Sequence, residues 1–176
     1  MSPDDRSSGD EADRTPGVAE ELHQARPFHS PAQEALLSLL RTADAAKRRF
    51  AALFSGAGVT FQQYNVLRIL RGAAPEGLPT LDIGERMIER TPGVTRIVDR
   101  LERKGWVSRT RDSGDRRRVY CRITPPGLDL LESLDDPVNE IDNGIFEGVA
   151  EADVKRLAGL LDELRARMAE HTTDEG

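Results

Sequence analysis

From Pro31 onward, apolar residues recur every three or four positions, and the pattern is interrupted at a few glycine- and proline-rich points. Leu36, Leu37, Leu39, Leu40, Ala43, Phe50, Leu53 and Phe54 keep the helical period. Pro31 suits a first turn, and Gly56 and Gly58 end the run. Thr60, with Gln63 three residues on, reads as a capping box that opens a second helix carrying Phe61, Tyr64, Leu67, Ile69 and Leu70 as far as Gly72. Residues 73–79 contain Pro75, Gly77 and Pro79 and read as a turn with a short strand near Leu78. Thr80 is expected to cap a short third helix from Leu81 to Met87 or Ile88. Thr91 reads as the N-cap of a fourth helix, with Pro92 at its first position. Val94, Ile97, Val98 and Leu101 form that helix's buried stripe, and Gly105 closes it.

The period then shortens to two. Trp106 and Val107 begin a strand that runs to about Arg111, and Asp112-Ser113-Gly114-Asp115 is turn-forming. Val119, Cys121 and Ile123 alternate with Tyr120 and Arg122 in a return strand. The strands make a hairpin with Arg116, Arg117 and Arg118 at or beside its tip. Cys121 shares the core-facing side with Val119 and Ile123, where a thiol acts as a small hydrophobe. Thr124-Pro125-Pro126-Gly127 breaks the strand. A long helix follows from about Gly127 to Phe146, with Leu128, Leu130, Leu131, Leu134, Val138, Ile141 and Ile145. Pro137 inside it predicts a kink or a break. A last helix, about Glu151 to Met168, carries Val154, Leu157, Leu160, Leu161, Leu164 and Met168. These leucine stripes are broader than one small domain can cover, so a partner subunit is expected against them, joined by the first long helix.

The order of elements predicts a mainly α fold with a small β-wing. A winged helix-turn-helix domain is flanked by N- and C-terminal helices that form a helical dimerisation region. The expected divisions are a disordered acidic tail over 1–30, an N-terminal dimerisation helix over 31–58, the winged helix-turn-helix domain over 59–124, C-terminal dimerisation helices over 125–170, and a disordered tail over 171–176.

Charge sharpens this picture. The chain of 176 residues has a net charge of −6, yet Arg86 to Thr124 holds twelve basic residues against five acidic ones. Pro125 to Gly176 reverses the balance, with four basic and fourteen acidic residues. A basic block inside an acidic chain points to a polyanion, engaged locally within a Debye length of about 8–10 Å. The N-terminus, Met1 to Asp10, is acidic and polar and lacks the basic start and apolar run of a signal peptide. No run approaches the roughly 18 apolar residues needed to span a membrane. One cysteine excludes an intrachain disulfide framework and fits a reducing cytoplasm, and the three histidines have no ligand-like spacing. No metal, cofactor or catalytic residue is expected: the chain offers no nucleophile–base pair, metal cluster or phosphate loop, so it is not read as an enzyme.

The chemistry of the fourth helix and the hairpin suits double-stranded DNA. The major groove admits one helix, and the guanidinium fork can donate two hydrogen bonds to a guanine edge. Arg96 and Arg100 lie one turn apart, beside Thr95, Asp99 and Arg103 on the polar face. Thr91, Pro92 and Gly93 at the helix start allow close backbone approach to a phosphate. The hairpin residues Asp115, Arg116, Arg117 and Arg118 would reach a neighbouring minor groove.

Gln63-Tyr64-Asn65-Val66-Leu67-Arg68-Ile69-Leu70, TPGVTRIVDRLERKGWV from Thr91 and DRRRVYCRITPPG from Asp115 together resemble the MarR family of bacterial winged-helix transcription regulators. The most specific part is Asp115-x-Arg117 followed by Thr124 and Gly127. The likeness spans about Pro31 to Met168. It implies a homodimer held by its first and last helices, a recognition helix over Thr91 to Lys104, and a minor-groove wing tip at Arg117. It also implies a small-molecule effector, often phenolic or lipophilic, bound between the dimer helices and the DNA-binding lobe. Phe50, Phe54, Tyr64 and Arg68 would line that site, and they read equally well as core residues. Relatives that sense organic hydroperoxides use a cysteine in the first helix; none is present, and Cys121 does not match that position. The expected function is that of a cytoplasmic transcriptional regulator, a repressor that binds a pseudo-palindromic operator. The alternative is a winged-helix module that docks proteins without specific DNA binding.

Overall fold

The computed structural model describes residues 15–111 and 119–173. In chain order these form α1 (Val18–Glu21), α2 (Pro31–Gly56), α3 (Phe61–Gly72), β1 (Leu78–Pro79), α4 (Thr80–Arg86), α5 (Val94–Arg103), β2 (Val107–Arg111), β3 (Val119–Ile123), α6 (Pro125–Ile145) and α7 (Glu151–Thr173). The architecture is mainly helical with one three-stranded sheet, a winged helix-turn-helix. Two compact parts divide the chain, one up to Arg49 and the other from Phe50 onward.

In the first part, α1 lies inside the segment expected to be disordered. The Arg41 Nε donates to the Glu21 carboxylate at 3.2 Å, which ties the segment to α2. The preceding residues, 1–14, lie outside the described residues, as do 174–176. At the other end, α7 continues to Thr173, past the expected stop near Met168.

The second part is built around α3. Its capping box forms as the sequence implies: the Gln63 amide donates to Thr60 Oγ1 at 3.2 Å, and the Thr60 amide donates to Gln63 Oε1 at 3.1 Å. Such caps satisfy N–H groups that have no partner within the helix. Val66, Leu67 and Leu70 of α3 are fully buried. They join Ile83 of α4, Val98 and Leu101 of α5, Val107 and Cys121 of the sheet, and Leu131 and Leu134 of α6 in one core. Asn65 is also buried, and its Oδ1 accepts the Ile88 amide at 2.9 Å just beyond the end of α4.

The strands pair antiparallel in the order β1-β3-β2. Arg109 sits opposite Cys121, and Leu78 pairs with Cys121 from the other side. Cys121 is therefore the central residue of the sheet and fully buried. Two glycines permit the joins. Gly77 has φ +76°, and a Cβ there would stand 2.3 Å from the Cys121 carbonyl oxygen. At Gly127 a Cβ would stand 2.4 Å from the Trp106 carbonyl oxygen.

Three further boundaries differ from the sequence expectation. Thr91 does not cap α5 and Pro92 is not its first residue: the N-cap is Gly93, whose φ of +107° breaks the helical path, so α5 begins at Val94. Thr80 is the first residue of α4 and Pro79 its cap. The long helix α6 begins at Pro125, with Pro125 and Pro126 in its first turn under the Thr124 cap, and it continues through Pro137 without a break. The first-turn prolines lose no hydrogen bond, because N–H groups there have no helical partner.

Candidate nucleic-acid interface

Helix α5 is two-faced. Ile97, Val98 and Leu101 are buried in the core, while Thr95, Arg96, Arg100 and Arg103 are exposed on the opposite side. Among the described residues, the Arg96 and Arg100 guanidinium groups have no ion-pair partner. They stand in solvent at successive turns, the spacing a groove-reading helix requires. Pro92 and Gly93 are exposed at the entry to the helix and Thr91 is half-buried. The Thr91 hydroxyl donates to the Pro92 carbonyl at 3.5 Å.

An open cleft of about 780 Å³ runs between α4 and this entry. Leu81, Gly84 and Glu85 form one wall, and Arg90 and the turn at Thr91 to Thr95 form the other. Leu81 is 82% exposed on the first turn of α4. Sequence reasoning passed over Leu81 and Arg90. For Leu81 a signal was available, since it falls out of phase with Ile83, the buried residue of the same helix.

Several cations of the basic block are committed within the protein. Lys104 Nζ donates to the Gly58 carbonyl at 2.5 Å and stands 4.5 Å above the Trp106 ring. Arg122 Nε donates to the Pro75 carbonyl at 3.0 Å, with its guanidinium near the Tyr120 ring. Arg103 Nε bonds the Asp99 carbonyl of its own helix at 3.2 Å. Arg109, on β2, reaches Asp99 and Glu102 of α5 at 2.6 and 2.9 Å. Asp99, expected on the DNA-facing side, is thus engaged by the wing strand. Arg90, Arg96, Arg100 and Arg111 keep exposed side chains. The wing-tip residues Asp115, Arg116, Arg117 and Arg118 lie outside the described residues.

The four residues expected near an effector come together, with Phe61 added. Ring centroids are 5.7 Å apart for Phe50 and Phe54, 4.5 Å for Phe54 and Tyr64, and 5.9 Å for Phe54 and Phe61. Phe54 and Tyr64 are buried and Phe50 is half-buried. Arg68 is exposed, with its guanidinium carbon 5.8 Å from the centroid of the Tyr64 ring. Burial raises the Tyr64 hydroxyl pKa, and the positive charge of Arg68 opposes that shift. Aromatic pairs of this kind contribute about 0.5–1.5 kcal/mol each beyond area burial, so the cluster is a structural core with a cation at its edge.

A bare, arginine-bearing face on the second helix of a helix-turn-helix, backed by a β-hairpin, defines a winged-helix DNA-binding protein. Comparison with known proteins agrees. Residues 59–119 match the model of the MarR family. The chain is 31% identical over 128 residues to the HTH-type transcriptional regulator FarR of Neisseria gonorrhoeae, across 73% of this chain and 86% of that one. It is 28% identical over 130 residues to the homoprotocatechuate degradative operon repressor of Escherichia coli, across 74% and 86%. The crystal structure of a MarR transcription factor from Planctomyces limnophilus superposes with a TM-score of 0.60 at 39% identity, covering 77% of this chain and 98% of that one. The chain belongs to the MarR family and is a DNA-binding transcriptional regulator. Among the described residues, no helix is long and apolar enough to cross a membrane.

Proposed function

We propose that this chain is a cytoplasmic repressor that binds, as a homodimer, a pseudo-palindromic operator with half-sites about one helical turn apart, ~34–36 Å. The observation that carries this reading is the pair Arg96 and Arg100, exposed one turn apart on a helix whose other face is anchored in the core. In this reading α5 enters the major groove. Thr95, Arg96, Arg100 and Arg103 face the bases and phosphates, Thr91, Pro92 and Gly93 sit near a phosphate, and Asp99 lies within the same face. Asp115, Arg116, Arg117 and Arg118 serve the minor groove. Dimerisation through the terminal helices accounts for leucines that the protomer leaves exposed: Leu36, Leu39 and Leu40 on α2, and Leu157, Leu160 and Leu164 on α7.

Release from DNA follows binding of a small phenolic molecule at Phe50, Phe54, Tyr64 and Arg68. The half-buried Phe50 at the edge of the cluster suits a ring, and the exposed Arg68 suits a carboxylate or phenolate on it. The Escherichia coli relative, named as repressor of a homoprotocatechuate degradative operon, supports the repressor role, and the structure of NadR in complex with 4-hydroxyphenylacetate, at 29% identity, supports this ligand class. Effector binding acts by shifting the population between dimer spacings that fit and do not fit the operator.

The test is selection of genomic fragments by the purified protein at two salt concentrations, read by sequencing. The expected result is one palindromic motif with affinity falling steeply as salt rises. Salt-sensitive retention of fragments without a shared motif would refute specific recognition. Absence of binding at both salts would favour the protein-docking alternative.

A further inference from the structure

Arg109 stands apart from the other arginines of the basic block. It is the middle residue of β2, paired across the sheet with the buried Cys121. Its side chain is only 23% exposed, although the chemistry around it is that of a surface. One Nη donates to Glu102 Oε2 at 2.9 Å. The other reaches Asp99 Oδ1 at 2.6 Å and the Thr95 carbonyl at 3.4 Å. Positions 95, 99 and 102 are spaced i, i+4 and i+7, so they form one stripe along two turns of α5. A single planar fork therefore spans two turns of the recognition helix from a rigid strand, a geometry that arginine's fixed donors suit and lysine's point charge does not.

The contacts have two physical effects. They fix the rotation and height of α5 relative to the sheet from one side, while Lys104, bonded to the Gly58 carbonyl, holds the helix end from another. They also neutralise Asp99 and Glu102, the two carboxylates of α5. Left unpaired, both would stand on a helix that approaches a polyanion, where like charge opposes binding. Burial tends to lower the pKa of the Arg109 guanidinium, but the hydrogen bond to Asp99 and the charges of Asp99 and Glu102 outweigh it and the pKa is raised.

We propose that Arg109 is a positioning residue for DNA recognition: it sets the reading pose of α5 and masks Asp99 and Glu102, and it does not itself contact DNA. This rests on α5 being the recognition helix. It assigns an arginine of the basic block, and an aspartate of the reading helix, to internal work.

The experiment uses the full chain and a duplex carrying the selected operator motif, with a scrambled duplex as the non-specific reference. Binding is followed by fluorescence anisotropy across a series of KCl concentrations for four proteins: the parent, Arg109→Gln, Asp99→Asn with Glu102→Gln, and the triple variant. Arg109→Gln should weaken operator binding roughly ten-fold or more, the scale of one charge-assisted hydrogen bond. The specific-to-non-specific ratio should fall, and the slope of log K against log salt should become no shallower. In the Asp99→Asn, Glu102→Gln background, the same Arg109→Gln change should cost little, because the groups it positions and masks are gone. A loss of equal size in both backgrounds, with a slope shallower by about 0.9 per protomer, would mark a direct phosphate contact and overturn the proposal. So would a lowered melting temperature with an unchanged specific-to-non-specific ratio, which marks a purely structural role. Arg96→Ala and Arg100→Ala on the same duplex test the recognition helix separately, so failure of that assignment is seen independently of Arg109.

Discussion

The Arg71 guanidinium on α3 holds the Asp135 carboxylate on α6 through two parallel hydrogen bonds, at 2.7 and 3.0 Å. Both side chains are more than a third exposed, so solvent screens the pair. The hydrogen bond to Asp135 raises the Arg71 pKa, burial works against that rise, and the Asp135 charge adds to it. The expected contribution to stability is about 0.5–1 kcal/mol, at the upper end for exposed pairs because the geometry is bidentate. A double-mutant cycle of Arg71→Ala and Asp135→Ala, measured by urea denaturation, should give that coupling at low salt and less at 1 M NaCl. A coupling of zero at low salt would show that the two bonds contribute nothing net.

Arg96 and Arg100 are the side chains expected to read bases. Replacing either with alanine should cost roughly 1–3 kcal/mol of operator affinity and relax one position of each half-site. Because both are exposed, the melting temperature should stay within a degree or two of the parent value, as surface changes usually move stability by less than about 0.5 kcal/mol. Competition binding against single-base operator variants separates this from a general electrostatic loss, which would weaken all sequences alike.

Gly77 tests the join between β1 and β3. Its left-handed φ of +76° and the 2.3 Å approach to the Cys121 carbonyl oppose any side chain. Gly77→Ala should destabilise by about 1–3 kcal/mol through backbone strain and displacement of the central strand. A shift of the urea midpoint with unchanged slope is the expected signature. No shift would mean that β1 moves away from the sheet at no cost.

Tyr64 gives the expected alkaline behaviour. Burial first, then the nearby Asp135, raise its pKa, against the lowering effect of Arg68 and Arg71. A folded-state pKa above the unfolded value means that the neutral phenol is favoured by the fold. Its contribution is fully present below the ordinary tyrosine pKa of about 10 and is lost as pH rises through the higher folded value. Stability measured between pH 8 and 11 should therefore fall above about pH 10, and Tyr64→Phe should remove part of that fall. An unchanged alkaline limb in the variant would place the titrating group elsewhere.

What the chain revealed in advance is what depends on neighbours close in sequence. The Thr60–Gln63 box lies within four residues, and the stripe Val94, Ile97, Val98 and Leu101 lies within eight, so both are written as periodicity. The alternation of Val119, Cys121 and Ile123 likewise identified the strand and its buried centre. What escaped was set by distant partners or by a conformational choice that composition leaves open. Thr91-Pro92 satisfies the rules for a helix start, but Gly93 adopts a left-handed conformation and moves that start to Val94. The pairing of Leu78 with Cys121 joins residues on either side of two helices. The engagement of Asp99 by Arg109 requires β2 to pack along α5, which no local spacing encodes, so the arginine excess on the basic block looked larger than it is. Leu81 and Arg90 line the cleft beside the start of α5 because α4 and the following turn converge there.

The absence of a side chain at Gly127 sets how closely the start of α6 packs on the base of the wing. The first turn of α6 lies so close to Trp106 that not even a methyl group fits between them. The Thr124 amide bonds the Trp106 carbonyl at 3.0 Å, and the Thr124 hydroxyl bonds the Gly105 carbonyl at 2.6 Å. A join this tight has no slack to absorb a tilt, because close-packed contacts hold or give way and do not stretch. The start of α6 and the base of the wing are therefore coupled through Trp106, and a tilt imposed on the first turn of α6 would be felt at β2, the strand that follows that residue.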